Sequence, residues 1–149
     1  MPSMRSSKYL VAYDGSESSK RALELAISIA ESEPNSEFVF VNALSLPAIA
    51  NGDDIADQII QESIEIIHEL SGIVEKLNNK CQVKLLKGAE PPNLIVQTAI
   101  DENCDFIIIG SRGKGGFKGY LGSVSYAVIQ KSPVDVIVAK HEEPIDIKL

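Results

Sequence analysis

Cysteine is scarce in this chain, and what there is forms no motif. Cys81 and Cys104 are the only two among 149 residues, at a spacing that matches neither CxxC nor a zinc pattern. That excludes a dithiol redox centre and a cysteine-based metal site, and leaves two thiols at the edge of a core, where free cysteine commonly sits. Long hydrophobic runs are missing as well. No segment reaches the roughly 18 apolar residues of a membrane span, and the opening Met1-Pro-Ser-Met-Arg-Ser-Ser carries no apolar signal core, so a cytoplasmic protein without a membrane partner is expected. Positive charge is the third shortage, with 14 Lys and Arg against 21 Asp and Glu, a net charge of -7 and a pI near 4.8. Affinity for a polyanion rests largely on Lys and Arg neutralising phosphates, so nucleic acid is not an expected partner. Histidine is limited to His68 on a helical stretch and His141 in the tail, and neither is placed to act as a base.

What is present has the balance of a soluble globular protein, 44% hydrophobic and 23% charged. The length suits one compact domain spanning 1–149. Acids concentrate in 51–69, 101–105 and 135–146, which makes Arg112, Lys114 and Lys118 a local basic patch suited to a small anion.

Five apolar runs alternate with helical patterns. Lys8 to Tyr13 reads as a strand closed by Asp14-Gly15-Ser16, and Ser16 or Ser18 caps a helix that runs to Glu33 with Ala22, Leu25, Ala26, Ile29 and Ala30 on one face. Glu37 to Leu44 is a second strand, apolar enough to be buried on both faces as in a parallel sheet. The mixed stretch 45–57 reads as a mobile loop over a ligand crevice. A long helix follows from about Asp54 to Leu77, striped by Ile59, Ile66, Leu70, Ile73 and Leu77. Gln82 to Leu86 is a third strand, interrupted by Gly88. Pro91-Pro92 opens a helix through about Glu102 that turns Leu94, Ile95, Thr98 and Ala99 inward. Asp105 to Ile109, a helix from Ser123 to Gln130 and a strand from Val134 to Ala139 complete the chain. The alternation predicts an α/β fold, a single open doubly wound parallel sheet of five strands with helices on both faces.

Ligands in such sheets bind beyond the carboxyl ends of the strands, where the winding reverses. Asp14 ends the first strand there, and Gly110 ends the fourth. After Ile109 comes Gly110-Ser-Arg-Gly113-Lys-Gly-Gly-Phe-Lys-Gly119-Tyr-Leu-Gly122-Ser123. Strand, glycine loop and helix start in that order suggest a phosphate cradle, because the backbone approaches a ligand closely where side chains are missing and the first amides of a helix are unpaired. A merely mobile surface loop is the competing reading. The segment lacks both a Gly-Lys-Ser/Thr ending and the G-x-G-x-x-G spacing, which excludes a Walker loop and a dinucleotide fingerprint.

Gly110-x2-Gly113-x8-Gly122-Ser123 resembles the nucleotide motif G-x2-G-x9-G-S/T of the universal stress protein family, one residue shorter in its second gap. Tyr13-Asp14-Gly15-Ser16, Gly88…Pro91, Leu121-Gly-Ser-Val-Ser125 and Pro133-Val-Asp-Val-Ile-Val138 also look like family landmarks in family order. The resemblance implies strand order 3-2-1-4-5 and binding of ATP, with magnesium carried on its phosphates. It implies that Ala12 and Asp14 line the ribose and adenine side, and that Ala43 touches the adenine. Ile109, Gly110, Arg112 and Gly113 would border the ribose and phosphates. Gly122, Ser123, Val124 and Ser125 would present amides and hydroxyls to the phosphate chain. No catalytic residue and no metal site built from side chains alone is expected, with Asp14 the one acid that would help hold Mg-ATP or else cap the first helix. A homodimer through Val134 to Val138 is also implied. An ATP-binding regulatory protein with a stress-response role leads, against a nucleotide-free dimeric interaction module and a slow ATPase.

Overall fold

The computed structural model describes residues 6–112 and 121–140. Its elements are β1 (Lys8–Ala12), α1 (Glu17–Ser32), β2 (Glu37–Ser45), a 3-10 turn (Pro47–Ile49), α2 (Asp54–Lys76), β3 (Lys80–Gly88), α3 (Pro91–Asp101), β4 (Phe106–Gly110), α4 (Ser123–Lys131) and β5 (Asp135–Ala139). All four strand pairings are parallel, in the order β3-β2-β1-β4-β5. This is the expected five-stranded sheet, and it makes β1 and β4 neighbours.

The period of two along each strand divides the core into two layers. Tyr9, Val11, Phe38, Phe40 and Ile108 pack with Ala22 and Ala26 of α1 and Ile66 and Leu70 of α2. Leu10, Val39, Val41, Ile107 and Ile109 pack with Ile95 and Ala99 of α3 and Val128 of α4. The central strands are therefore apolar on both faces, and each large buried side chain contributes about 1.5–3 kcal/mol. On the α1/α2 face, Phe40, Phe38, Tyr9 and Phe106 stack in a row, with successive centroids 5.7, 5.2 and 5.3 Å apart.

At the amino ends of the strands the chain ties itself shut. The Lys8 amide donates to Asp105 Oδ2 at 2.8 Å and the Asp105 amide to Lys8 O at 2.7 Å. Asn79 Nδ2 lies 3.0–3.4 Å from the carbonyls of Ala30, Glu33, Pro34 and Ser36, and so fastens the end of α1 to the start of β3. Glu102 collects Lys84 Nζ at 2.5 Å, Gln82 Nε2 at 3.2 Å and Lys8 Nζ at 3.4 Å. Those donors, Lys84 foremost, hold its carboxyl down at about 2 against an ordinary 4.5.

Two expectations are corrected. Gly88 does not interrupt β3; it is its last residue, in register with Ser45. A side chain there would start 2.7 Å from Leu94 Cδ2, so the glycine lets the first turn of α3 close against the strand. The loop expected over 45–57 is also narrower, spanning 46–53. Ser45 belongs to β2, a 3-10 turn follows, and α2 begins at Asp54. The acids here serve the helix start: Asp53 caps α2 by accepting from the Ala56 amide at 2.8 Å, and Asp54 and Asp57 lie in its first turn, where negative charge is favoured. On α2 the expected stripe faces the core: Ile66 and Leu70 are buried, Ile73 and Leu77 pack half-buried against the same cluster and Ile59 is half-buried, while Ile55, Ile60 and Ile64, outside the stripe, are exposed.

Candidate nucleotide site

A cavity of about 160 Å³ opens at the carboxyl ends of β1, β2 and β4. One wall is apolar, made by Val41 and Ala43 of β2, Ile109 of β4, and Pro91 and Ile95 of α3. Ala12 and Asp14 supply the β1 side. Gly110, Arg112, Val124 and Ser125 close the far end, where β4 passes into the glycine-rich segment and α4 begins. Of the expected site residues, Ala12, Asp14, Ala43, Ile109, Gly110, Arg112, Val124 and Ser125 thus share one cavity. Gly122 and Ser123 do not line it but start the helix that does, and Gly113 lies outside the described residues.

The two ends of the glycine-rich segment are held together by its flanks. The Gly122 amide donates to Ser111 O at 2.6 Å, and the Ser111 amide donates to Ala139 O at 2.7 Å. Gly122 is the N-cap of α4 and offers no side-chain acceptor, so among the described residues no side chain caps the amides of Ser123, Val124 and Ser125. Ser125 is less free than its position suggests. Its hydroxyl donates to Gly110 O at 2.5 Å, which commits its one proton and leaves amides, not this hydroxyl, as donors at that end.

Asp14 occupies the turn after β1. One carboxylate oxygen accepts from the Ser16 amide at 2.9 Å, an Asx-type turn helped by Gly15 at φ 81°. The helix cap itself is Ser16, whose hydroxyl accepts from the Ser19 amide at 3.3 Å, so Asp14 is not the cap of α1. Gly110 also has a different reason to be glycine. A Cβ there would meet the backbone of Ser18 and Ser19 and the Ser18 hydroxyl at 2.6 Å; its bareness lets β4 pack against the first turn of α1.

Composition and motif left out several residues. Val41, Pro91 and Ile95 line the cavity, as do Tyr13 and Ser19, and only the β2–β1 register together with the packing of α3 would have revealed them. Asn42 donates from Nδ2 to Tyr13 O at 2.9 Å and so extends the β1–β2 alignment one step beyond the ladder. The Tyr13 hydroxyl donates to Glu69 at 2.8 Å; burial, reinforced by that carboxylate, pushes its pKa well above the ordinary value. Burial raises both thiols too, Cys104 to about 11, so neither is a ready nucleophile. Among the described residues no three His, Cys, Asp or Glu are grouped to hold a metal, and no helix is long and apolar enough to cross a membrane.

The model of the universal stress protein family matches residues 6–140. The chain belongs to that family. It is 31% identical over 145 residues to universal stress protein Rv2623 of Mycobacterium tuberculosis, covering 95% of this chain but 48% of that protein. The universal stress protein chain therefore spans about half the length of that relative. The solved structure of hypothetical protein MJ0577 superposes with a TM-score of 0.80 at 27% identity, over 92% of this chain and 97% of the other. Two more distant structures share the fold. One, an Arabidopsis thaliana protein with AMP bound, has 19% identity and a TM-score of 0.68 over 94% and 97% of the two chains. The other, a universal stress protein in complex with cAMP, has 23% identity and a TM-score of 0.59 over 91% and 97%.

Proposed function

We propose that this universal stress protein binds an adenine nucleotide, ATP with magnesium on its phosphates, in the cavity between β1, β4 and α4. The observation that carries the reading is the joining of an apolar slot, a carboxylate and a helix N-terminus whose N-cap, Gly122, has no side chain, in one crevice. Val41, Ala43 and Ile95 would hold the base, and Asp14 a ribose hydroxyl. The first amides of α4, with the partial positive charge of the helix start, would take the phosphates, and Arg112 would add a formal charge. Magnesium needs one or two carboxylates beside phosphate oxygens, a part that Asp14 can fill. The structures with AMP and cAMP support the ligand class.

The nucleotide is held as a regulatory ligand in a stress-response role and is not turned over. Asp14 is the single carboxylate lining the cavity among the described residues, whereas phosphoryl transfer asks for a group to orient the nucleophile in addition to the metal ligands. The protein would act in the cytoplasm as a homodimer through residues Val134 to Val138, all but the first of which belong to β5. β5 is an edge strand with Val136, Ile137 and Val138 half-buried, while the opposite edge, β3, carries Lys80, Lys84 and Lys87, which discourage pairing. A monomer mass by sedimentation at micromolar concentration would remove the dimer.

Calorimetric titration with ATP and magnesium, joined to acid extraction of freshly purified protein, tests the main reading. Binding that is lost in Gly113→Val or Gly122→Val is expected. No heat with ATP, ADP or AMP and no extractable nucleotide would overturn it.

A further inference from the structure

Serines of α1 grip the backbone of Arg112, and one of them has no part in capping its own helix. Ser18 Oγ accepts from the Arg112 amide at 3.0 Å and donates to the Arg112 carbonyl. A hydroxyl has one proton and two lone pairs, so this side chain satisfies both backbone groups of one residue. Ser16 Oγ reaches the same carbonyl at 3.2 Å. Ser18 is 3% exposed, and the bare Cα of Gly110 is what allows it so close. Ser111, the residue before, is tied instead to β5 and to Gly122. The exit from β4 is thus fastened on three sides, and the α1 side is made of serine hydroxyls.

We propose that Ser18 is a positioning residue for the phosphate end of the nucleotide site. It fixes where Arg112 leaves β4, and so holds a cationic residue at the same cavity wall as the first turn of α4. The inference rests on the adenine-nucleotide reading and adds a residue that the glycine motif does not contain. Without the hydroxyl, the Arg112 amide loses this acceptor and its carbonyl one of two hydroxyl donors, so Arg112 is held less firmly and must be ordered when phosphates arrive, a cost that appears as weaker binding. Adenosine, which would use the apolar wall and Asp14, escapes that cost.

The experiment compares ATP and adenosine affinities by calorimetry in the wild type, Ser18→Ala and Ser18→Thr. Ser18→Ala is expected to weaken ATP about tenfold, the worth of one or two hydrogen bonds, and adenosine less than about twofold. Ser18→Thr, which keeps the hydroxyl, should restore the ratio. If Ser18→Ala fails to fold, Ser16→Ala removes one of the two hydroxyls on the Arg112 carbonyl, and an ATP-selective loss of about threefold is expected. Amide exchange at Arg112 supplies a second readout that needs no ligand. Faster exchange in Ser18→Ala with an unchanged ATP-to-adenosine ratio, or equal losses for both ligands, would overturn this inference and leave the nucleotide reading standing. A wild type that binds neither ligand would remove both.

Discussion

Two helices start at the same end of the sheet, α1 after β1 and α4 after β4, and they are finished in opposite ways. At α1 the chain supplies its own acceptors: Ser16 caps, Asp14 takes the Ser16 amide, and the Arg112 carbonyl sits on the hydroxyls of Ser16 and Ser18. At α4 the N-cap is Gly122, with no side-chain cap, and the cavity lies beside its first turn. Both ends carry the partial positive charge of a helix start. One is used up in holding the fold, and the other is where we propose that the nucleotide phosphates bind. The serine and glycine content of the two turns is the chemical difference between a structural joint and the proposed binding site.

The strongest way to break this contrast is to force the closed joint open. Gly110→Ala places a Cβ about 2.6 Å from backbone atoms of Ser18 and Ser19, which cannot swing aside as a side-chain tip would. We expect a loss of about 3 kcal/mol of stability, at the upper end of the usual range for overpacking, measured by urea denaturation. A variant as stable as the wild type would show that β4 and α1 are not locked together.

The open joint calls for the reverse experiment. Gly122 has φ -67° and ψ 156°, a conformation any residue adopts, so Gly122→Asp can place a carboxylate on the α4 amides without backbone strain. Stability should rise by a few tenths of a kcal/mol, and ATP affinity should fall at least tenfold, because the new carboxylate occupies and repels the phosphate position. Melting and calorimetry on the same sample check both signs. A fall in stability, or ATP binding left intact, would mean that these amides do not receive the phosphates.

The layout of the fold was legible because every element announces itself by period: five short apolar runs, four helical patterns and Pro or Gly at the joints. Asp14 and Gly110 could be placed in the crevice because each ends a strand. The reason Gly110 is glycine was not legible, since it depends on Ser18, 92 positions earlier in a chain whose β1–β4 contact must be known first. Asn42 and Ile95 were hidden for the same cause. An asparagine in an apolar strand and an isoleucine in an amphipathic helix carry no local sign of what they face. The loop expected over 45–57 is too wide at both ends, because an apolar strand and an acidic first turn carry no sharp sign of where the connection stops: Ser45 already lies in β2 and residues 54–57 in α2.

The smallest expected effect lies at the other end of the sheet and serves as the control. Glu102 has its carboxyl held at about 2 by Lys84, Gln82 and Lys8, far from the cavity. Its folded value lies below its ordinary 4.5, so its contribution is complete above about pH 4.5 and is lost as the pH falls towards 2. Its side chain is 20% exposed, and solvent screening limits the worth of the cluster to about 1 kcal/mol. Glu102→Gln should therefore lower stability by about that much at pH 7 and flatten the acid limb of the stability curve between pH 4.5 and 2. Affinity for ATP should stay at the wild-type value, because nothing in this cluster touches the α4 start. If ATP affinity fell together with stability, the losses predicted for Ser18→Ala and Gly122→Asp would no longer report on the two joints, since general loosening of the sheet would explain them equally well.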